Sequence, residues 1–440
     1  MRGRSPITTA RPSRTGSATP TVAAIAKPAL DETAARLPLA VRWWDGSETQ
    51  FGEPHATIVV RSPQAVRRLL YQPNELGLSR AFVAGEVDVE GDIFALLDPP
   101  AEATGLRRRA GARTAVSLWR AALRLRAVGL PMTPPPEEAR LAGGLHSRRR
   151  DERAISHHYD VGNDFYRLVL GESMVYSCGY WPQADATLDE AQDAKHELIC
   201  RKLGLQQGMR LLDVGCGWGG LVIHAARTFG VSALGVTLSR EQERLARERV
   251  AAAGLADRVE IRRQDYRELR DESFEAISSV GMFEHVGAAQ TSEYFDRLGA
   301  LLKPGGRLLN HAISRPSGEG EPAIRRNSFM GRYVFPDGAL LEVGAAVSAM
   351  QNSGLEVRDV ESLREHYVRT LRAWVANLER HREDAEALAG APRTRIWRLY
   401  MAASAVAFER NRLSVHQVLA VRPDNDGSSR MPATRAWLAQ

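Results

Sequence analysis

From residue 210 onward, short continuous apolar runs take turns with stretches in which apolar side chains recur every three or four positions. The first pattern reads as buried strands and the second as amphipathic helices. Strands are predicted at 210–214, 231–236, 259–263, 274–280 and 307–313, with helices starting at 219 and spanning 239–253 and 292–302. Strand and helix in alternation imply a parallel, doubly wound sheet that binds ligands at the carboxyl ends of its strands. The first strand runs into Gly215-Cys216-Gly217-Trp218-Gly219-Gly220. Glycines there let the backbone turn sharply and approach a ligand, and the helix beyond presents free N–H groups. Alone, this motif suits a dinucleotide, S-adenosylmethionine or a plain turn.

The first half of the chain has a different grain. Residues 1–30 are rich in Ser, Thr, Pro, Arg and Ala without periodicity, which predicts a disordered tail. Residues 31–130 read as a small α+β domain, with strands at 39–44 and 56–60, a helix from Ser62-Pro63 to Leu70, and a segment, 77–89, that alternates like a half-buried strand towards its end. Between 107 and 130 lies a basic amphipathic candidate, with Val116, Trp119, Leu123 and Val128 on one face and Arg113, Arg120 and Arg124 on the others. Such a helix either lies on an anionic membrane or docks its apolar face on the core, the commoner arrangement. The proline run 131–136 and Arg148-Arg149-Arg150 mark a linker over 131–153, leaving a catalytic domain over 154–440.

A net charge of +6 and a pI near 9.4 call for an anionic partner, without choosing among nucleic acid, phospholipid and phosphorylated metabolites. Cys178, Cys200 and Cys216 have neither pairing nor zinc spacing, so a reducing cytoplasm is the expected setting. No apolar run reaches the roughly 18–20 residues of a membrane span, and no secretory h-region follows Arg2 and Arg4. A soluble or peripheral protein is expected.

The strand that would carry the ribose-binding carboxylate of an NAD site ends instead in Gly235-Val236-Thr237-Leu238-Ser239. The next strand ends in Gln264-Asp265-Tyr266, suited to hydrogen-bond and stack on an adenine, and Lys303-Pro304-Gly305-Gly306 is a turn common in methyltransferases. These features favour S-adenosylmethionine.

Ser156 to Phe165, Tyr176-Ser177-Cys178-Gly179-Tyr180-Trp181, the glycine stretch, Gly281-Met282-Phe283-Glu284-His285-Val286-Gly287, Asn310-His311-Ala312-Ile313, Tyr333 to Gly338 and Tyr367 to Trp374 follow one another in this order. In these motifs the chain resembles the cyclopropane-fatty-acyl-phospholipid synthases and the related mycolic acid cyclopropane synthases, from about 154 to 419. Residues 76–92 resemble the longer fatty-acid forms. The resemblance implies a Rossmann-like class I methyltransferase domain behind a smaller α+β lipid-associated domain. It also implies transfer of a methyl group from S-adenosylmethionine to the cis double bond of a phospholipid acyl chain.

An alkene needs no base to react, but the resulting carbocation must lose a proton, so the site needs a base and a dry pocket. In the family the base is a bound bicarbonate ion, and its holders match Cys178, Glu284, His311, Tyr367 and the backbone of Ile313. The same carry-over assigns Tyr176 and Ser177 to the methionine part of the cofactor, and Asp213, Gly215, Gly217 and Gly219 to the loop. Thr237, Leu238 and Gln242 would border ribose and adenine, and Asp265 with Tyr266 the adenine edge. Taken one by one, Cys178 and Tyr367 suit packing, His311 a satisfied core histidine and Glu284 a helix cap. Two departures stand out. The segment 314–333 is short and charged, unlike the apolar insertion of the mycolic acid enzymes, and Asn310 stands where many members have Leu. The product implied is a cyclopropane; a 10-methylene chain, precursor of 10-methyl fatty acids, shares every motif. A small-molecule methyltransferase and a non-enzymatic lipid-binding protein are remoter alternatives. An anionic phospholipid membrane on the cytoplasmic side, no nucleic acid and a possible homodimer complete the expectations.

Overall fold

The computed structural model describes residues 20–33, 38–98, 112–139, 162–270, 272–318, 324–325, 327–336, 338 and 340–435. The N-terminal part comprises α1 (Val22–Thr33), β1 (Leu39–Arg42), β2 (Glu48–Phe51), β3 (Ala56–Val60), α2 (Pro63–Tyr71), α3 (Glu75–Val83), β4 (Val87–Gly91), α4 (Ile93–Leu97) and α5 (Ala112–Arg124). Its sheet has the order β2-β1-β3-β4, with β1 and β3 parallel and the other pairs antiparallel.

Two expectations for this part need correction. The tail predicted to reach residue 30 is helical from Val22, and Val22, Ala23, Ala26 and Ala29 are buried. What starts the helix is remote in sequence: Asp45 Oδ2 accepts the Val22 N–H at 2.8 Å and Ser47 Oγ that of Ala23 at 2.9 Å. In 77–89, a strand forms only from Val87. The preceding residues are helical because Asn74 Oδ1 caps the Gly77 N–H at 3.1 Å, while the Cβ that any other residue would bring at Gly77 would lie 2.0 Å from the Gln72 carbonyl oxygen.

Residues 131–139 cross the surface of the small domain, held by Arg68 Nη1 on the Thr133 carbonyl and by an Arg80–Glu138 ion pair at 2.8 Å. The rest of the expected linker, the expected domain start and the motif residues 156–161 lie outside the described residues, as does the tail up to residue 19.

The second part contains α6 (Asn163–Leu170), α7 (Leu188–Leu203), β5 (Arg210–Val214), α8 (Gly220–Phe229), β6 (Ser232–Thr237), α9 (Arg240–Ala252), β7 (Val259–Arg263), β8 (Phe274–Val280), α10 (Thr291–Leu301) and β9 (Leu302–Ser314). After a π-helical turn at Met330–Val334 come α11 (Val343–Asn352), β10 (Glu356–Ser362), α12 (Arg364–Arg380), α13 (Arg382–Ala389), α14 (Ala391–Glu409) and β11 (Ser414–Val421). The seven strands run β10-β11-β9-β8-β5-β6-β7, with β5 to β9 parallel and the β10–β11 and β11–β9 pairs antiparallel. The chain winds outward from β5 through β6 to β7, then returns to β8 on the other side of β5. That reversal opens a crevice at the carboxyl ends of β5 and β8.

Helices α12 to α14 form a layer over this crevice. The small domain packs on it: Phe82, Val83 and Ile93 share one hydrophobic cluster with Trp397, Tyr400 and Met401, and Arg398 Nη1 donates to the Val89 carbonyl at 3.1 Å. The two parts therefore share a core.

Candidate active site

The crevice begins at β5. Gly215, Gly217 and Gly219 adopt φ of +81°, +54° and +80°, the left-handed region that a side chain resists. The N–H groups of Gly215 and Cys216 both donate to the Val236 carbonyl, at 2.9 and 3.0 Å, which fastens the loop to the end of β6. Tyr176, Ser177, Asp213, Gly215, Gly217, Thr237, Leu238, Gln242, Asp265 and Tyr266 all line one cavity here. Gly219 does not line it; it starts α8, and a Cβ there would lie 3.4 Å from Ala246 Cβ.

Several of these side chains are pre-set by neighbours. Thr237 Oγ1 donates to Gln242 Oε1 at 2.7 Å, and Asp265 is clamped by Arg267, whose Nη2 reaches Oδ2 at 2.6 Å. Burial raises the Asp213 carboxyl to about 6, opposed by the Ser278 hydroxyl at 2.7 Å and by Lys195. Lys195 is 1% exposed and donates to Ser177 Oγ at 2.8 Å; burial lowers it to about 7, with Cys178 and Asp213 acting in the other direction.

Beyond β8 the chain makes a single 3₁₀ turn, Phe283–His285, that aims Glu284 at β9. Glu284 Oε1 accepts the Ile313 N–H at 2.7 Å, while its Oε2 is buried without a partner among the described residues. Burial raises this carboxyl to about 7, against the Ile313 N–H. His311, two residues earlier on β9, faces Gln417 of β11 in register, with Gln417 Nε2 at 3.3 Å from its Nδ1. Its Nε2 is also buried without a partner among the described residues, and burial followed by Lys195, Lys202 and His416 lowers the ring to about 3, so it is neutral. Ile313 thus spends its N–H on Glu284 and positions that carboxylate, whereas the sequence expectation had it facing an anion.

Cys178 and Tyr367 approach from the other side. Cys178 Sγ donates to the Leu363 carbonyl at 3.6 Å and to its neighbour Gly179 at 3.2 Å, and the Tyr367 N–H donates to the same Leu363 carbonyl at 3.0 Å. Burial pushes the Cys178 thiol far above its ordinary value, so it is a neutral donor. Tyr176 joins the two groups: its hydroxyl donates to Tyr400 Oη at 2.9 Å, and Tyr400, raised to about 12 by burial and by the nearby Glu284, reaches the carboxylate side. Trp374 and Trp397 pack on Tyr176 with centroids at 5.3 and 5.5 Å. Aromatic rings thus surround Tyr176, which with Ser177 lines the glycine-loop cavity, whereas Cys178, Glu284, His311 and Tyr367 do not line it.

The sequence pattern of the mycolic acid cyclopropane synthetase family matches residues 146–418. The chain belongs to that family. Its members are S-adenosylmethionine-dependent methyltransferases. A domain family of unknown function matches residues 28–103. Among curated relatives, a probable fatty acid methyltransferase of Mycobacterium tuberculosis, Rv3720, is 43% identical over 91% of this chain and 95% of its own. The tuberculostearic acid methyltransferase UfaA1 of the same organism is 34% identical over 91% of both chains. The cyclopropane-fatty-acyl-phospholipid synthase of Escherichia coli K12 is 41% identical over 53% of this chain and 60% of its own. Among solved structures, the mycolic acid cyclopropane synthase CmaA1, complexed with SAH and CTAB, superposes with a TM-score of 0.58 at 31% identity, covering 61% of this chain and 97% of that one.

Within this family member, sequence reasoning had missed Lys195, Arg267, Tyr400 and Gln417. Lys195 left a signal: with Gln192 and Ile199 it occupies the inward i, i+3, i+7 face of α7, where a lysine is out of place unless it has a partner. Tyr400 and Gln417 left none, since their roles arise only when α14 and β11 are placed.

Proposed function

We propose that the protein methylates the cis double bond of an unsaturated phospholipid acyl chain and closes it to a cyclopropane. S-adenosylmethionine supplies the methyl group and bicarbonate the proton acceptor. The observation that carries this reading is the pair of buried, unpartnered atoms Glu284 Oε2 and His311 Nε2. With the Gln417 amide nitrogen facing Nδ1, the neutral His311 ring carries its proton on Nε2 and is a donor. Glu284 Oε2, when ionised, is an acceptor. One donor beside one acceptor suits a planar anion that offers both an oxygen and an O–H, which is hydrogen carbonate, better than a halide or sulfate. The Tyr367 hydroxyl would grip a remaining oxygen, and Cys178 would do so on turning its S–H away from the Leu363 and Gly179 carbonyls. Tyr176, Trp374 and Trp397 keep water out and turn aromatic faces towards developing positive charge.

The cavity residues named above would hold the cofactor, with Ser177 and Lys195 at its methionine end. A second reading, methyl transfer ending in a 10-methylene chain, is favoured by one finding: relatives matching 91% of the chain are named a probable fatty acid methyltransferase and a tuberculostearic acid methyltransferase, whereas those named cyclopropane-fatty-acyl-phospholipid synthase match 53%.

The outer surface of the small domain supports a peripheral seat on the cytoplasmic face of an anionic membrane. Among the described residues no helix is long and apolar enough to cross one. Among the described residues eight large apolar side chains are exposed, and six of them, Tyr71, Leu78, Val116, Trp119, Leu123 and Leu130, belong to residues 71–130. Helix α5 buries Ala121 and Ala122 and turns Val116, Trp119 and Leu123 outward. The docking face expected from the sequence is thus the solvent face. Seven arginines and no acidic residue occupy 103–136, more positive charge than the net +6 of the whole chain.

Incubation with S-adenosylmethionine and oleoyl phospholipid vesicles, then mass spectrometry of the acyl esters, tests the reaction. A product heavier by one methylene is expected, and its fragmentation separates ring from exocyclic methylene. Unchanged acyl chains would overturn both readings.

A further inference from the structure

Away from the proposed base site, metal-ligating side chains converge between α7 and α8. Asp193 and His196 stand three residues apart on α7 and share a face, and His224 reaches them from α8. One ligand atom of each lies within 4.8 Å of the other two, and the imidazole rings sit 5.7 Å apart. A second carboxylate is at hand, because Glu197 Oε2 is 3.2 Å from His224 Nε2. His196 is 5% exposed, and no hydrogen bond to its ring is found among the described residues. Its ring borders the loop cavity, which leaves a lone pair available to a ligand.

We propose that Asp193, His196 and His224 form a binding site for a divalent transition-metal ion of the zinc class, with Glu197 as the neighbouring carboxylate. Two imidazoles and carboxylate oxygens form the borderline donor set that Zn²⁺ and Co²⁺ share. Bonds of about 2.0–2.1 Å in a tetrahedron put ligand atoms roughly 3.3–3.4 Å apart, so the three groups must draw together on binding. Asp193, exposed at the helix surface, and His224, 20% exposed, are free to do so. The site adjoins the glycine loop: a Cβ on Gly220, the first residue of α8, would lie 3.1 Å from His196 Cε1, and His196 also lines the loop cavity. An ion here ties α7 to α8 directly behind the loop, so its binding and that of a ligand in the cavity affect each other reciprocally.

The test titrates the chelator-stripped full chain with Zn²⁺ and with Co²⁺, reading heat, melting temperature and the visible spectrum of cobalt. One equivalent is expected to bind, with a rise in melting temperature and the intense ligand-field bands of a four- or five-coordinate cobalt ion. Neither Asp193 nor His224 lines the cavity, so His224→Ala and Asp193→Asn separate the ion site from the cavity. Each is expected to weaken binding by about 10–100-fold or more while leaving the metal-free melting temperature within a few degrees of wild type. No saturable binding to wild type, or equal affinity in the double variant, would show a surface hydrogen-bonded cluster only and overturn the proposal.

Discussion

Enclosing Glu284 at the turn after β8 sets its stability cost against its proposed use. Its carboxyl is raised from an ordinary 4.5 to about 7, so the folded state holds the proton more tightly than the unfolded chain does. The resulting contribution is fully present below about 4.5 and is lost as pH climbs through about 7; above that the buried charge costs on the order of 3 kcal/mol. Glu284→Gln keeps an acceptor for the Ile313 N–H and cannot ionise. Its melting temperature is expected to match wild type at pH 5 and exceed it at pH 8, while methyl transfer disappears and S-adenosylhomocysteine affinity changes little. A variant that keeps turnover, or whose melting temperature relative to wild type is the same at both pH values, would remove Glu284 from the proposed role. Cys178, Glu284, His311 and Tyr367 were visible in the sequence as members of contiguous motifs, while their joint role belongs to the proposed function. The orphaned atoms were not, since whether an atom has a partner depends on what lies across from it in space.

The glycine loop and β6 act as one piece. Gly235 leaves room for the loop: a Cβ there would sit 2.9 Å from both Cβ and Sγ of Cys216 and 3.0 Å from Ile261 Cδ1. Gly235→Ala is therefore expected to cost about 1–3 kcal/mol by overpacking. It should also weaken S-adenosylhomocysteine binding by displacing Cys216 and Gly217; calorimetric titration and thermal unfolding would check both, and unchanged affinity with unchanged stability would show that the loop yields freely. The alternation from 210 to 313 was enough to place β5 to β9 and the helices between them, because strand and helix periods are local. Strands β10 and β11 escaped notice, although β11 supplies Gln417 to His311. Helix α1 escaped too, because its caps come from Asp45 and Ser47.

In the assembled molecule, the small domain closes one side of the α12–α14 layer and turns α5 outward. Burying a Trp or Leu side chain in a bilayer interface contributes about 1.5–3 kcal/mol, and each nearby arginine about 1 kcal/mol on an anionic surface. Replacing Trp119 and Leu123 together by Ser is expected to weaken co-sedimentation with anionic vesicles at least about tenfold and to leave the unfolding temperature unchanged. Wild-type binding should fall as salt is added and vanish on zwitterionic vesicles. Equal binding by variant and wild type would move the membrane contact elsewhere.

Composition, period and motif order were sufficient for the family and the doubly wound sheet, since each is written in neighbouring positions along the chain. The direction of α5 was not written there, because an amphipathic helix carries the same sequence whether its apolar stripe meets protein or lipid. Nor were the positioning of Glu284 by Ile313, the pairing of His311 with Gln417, or the meeting of Asp193, His196 and His224. Each of these joins groups from separate elements, and the partner of a buried polar atom is chosen only when the elements pack.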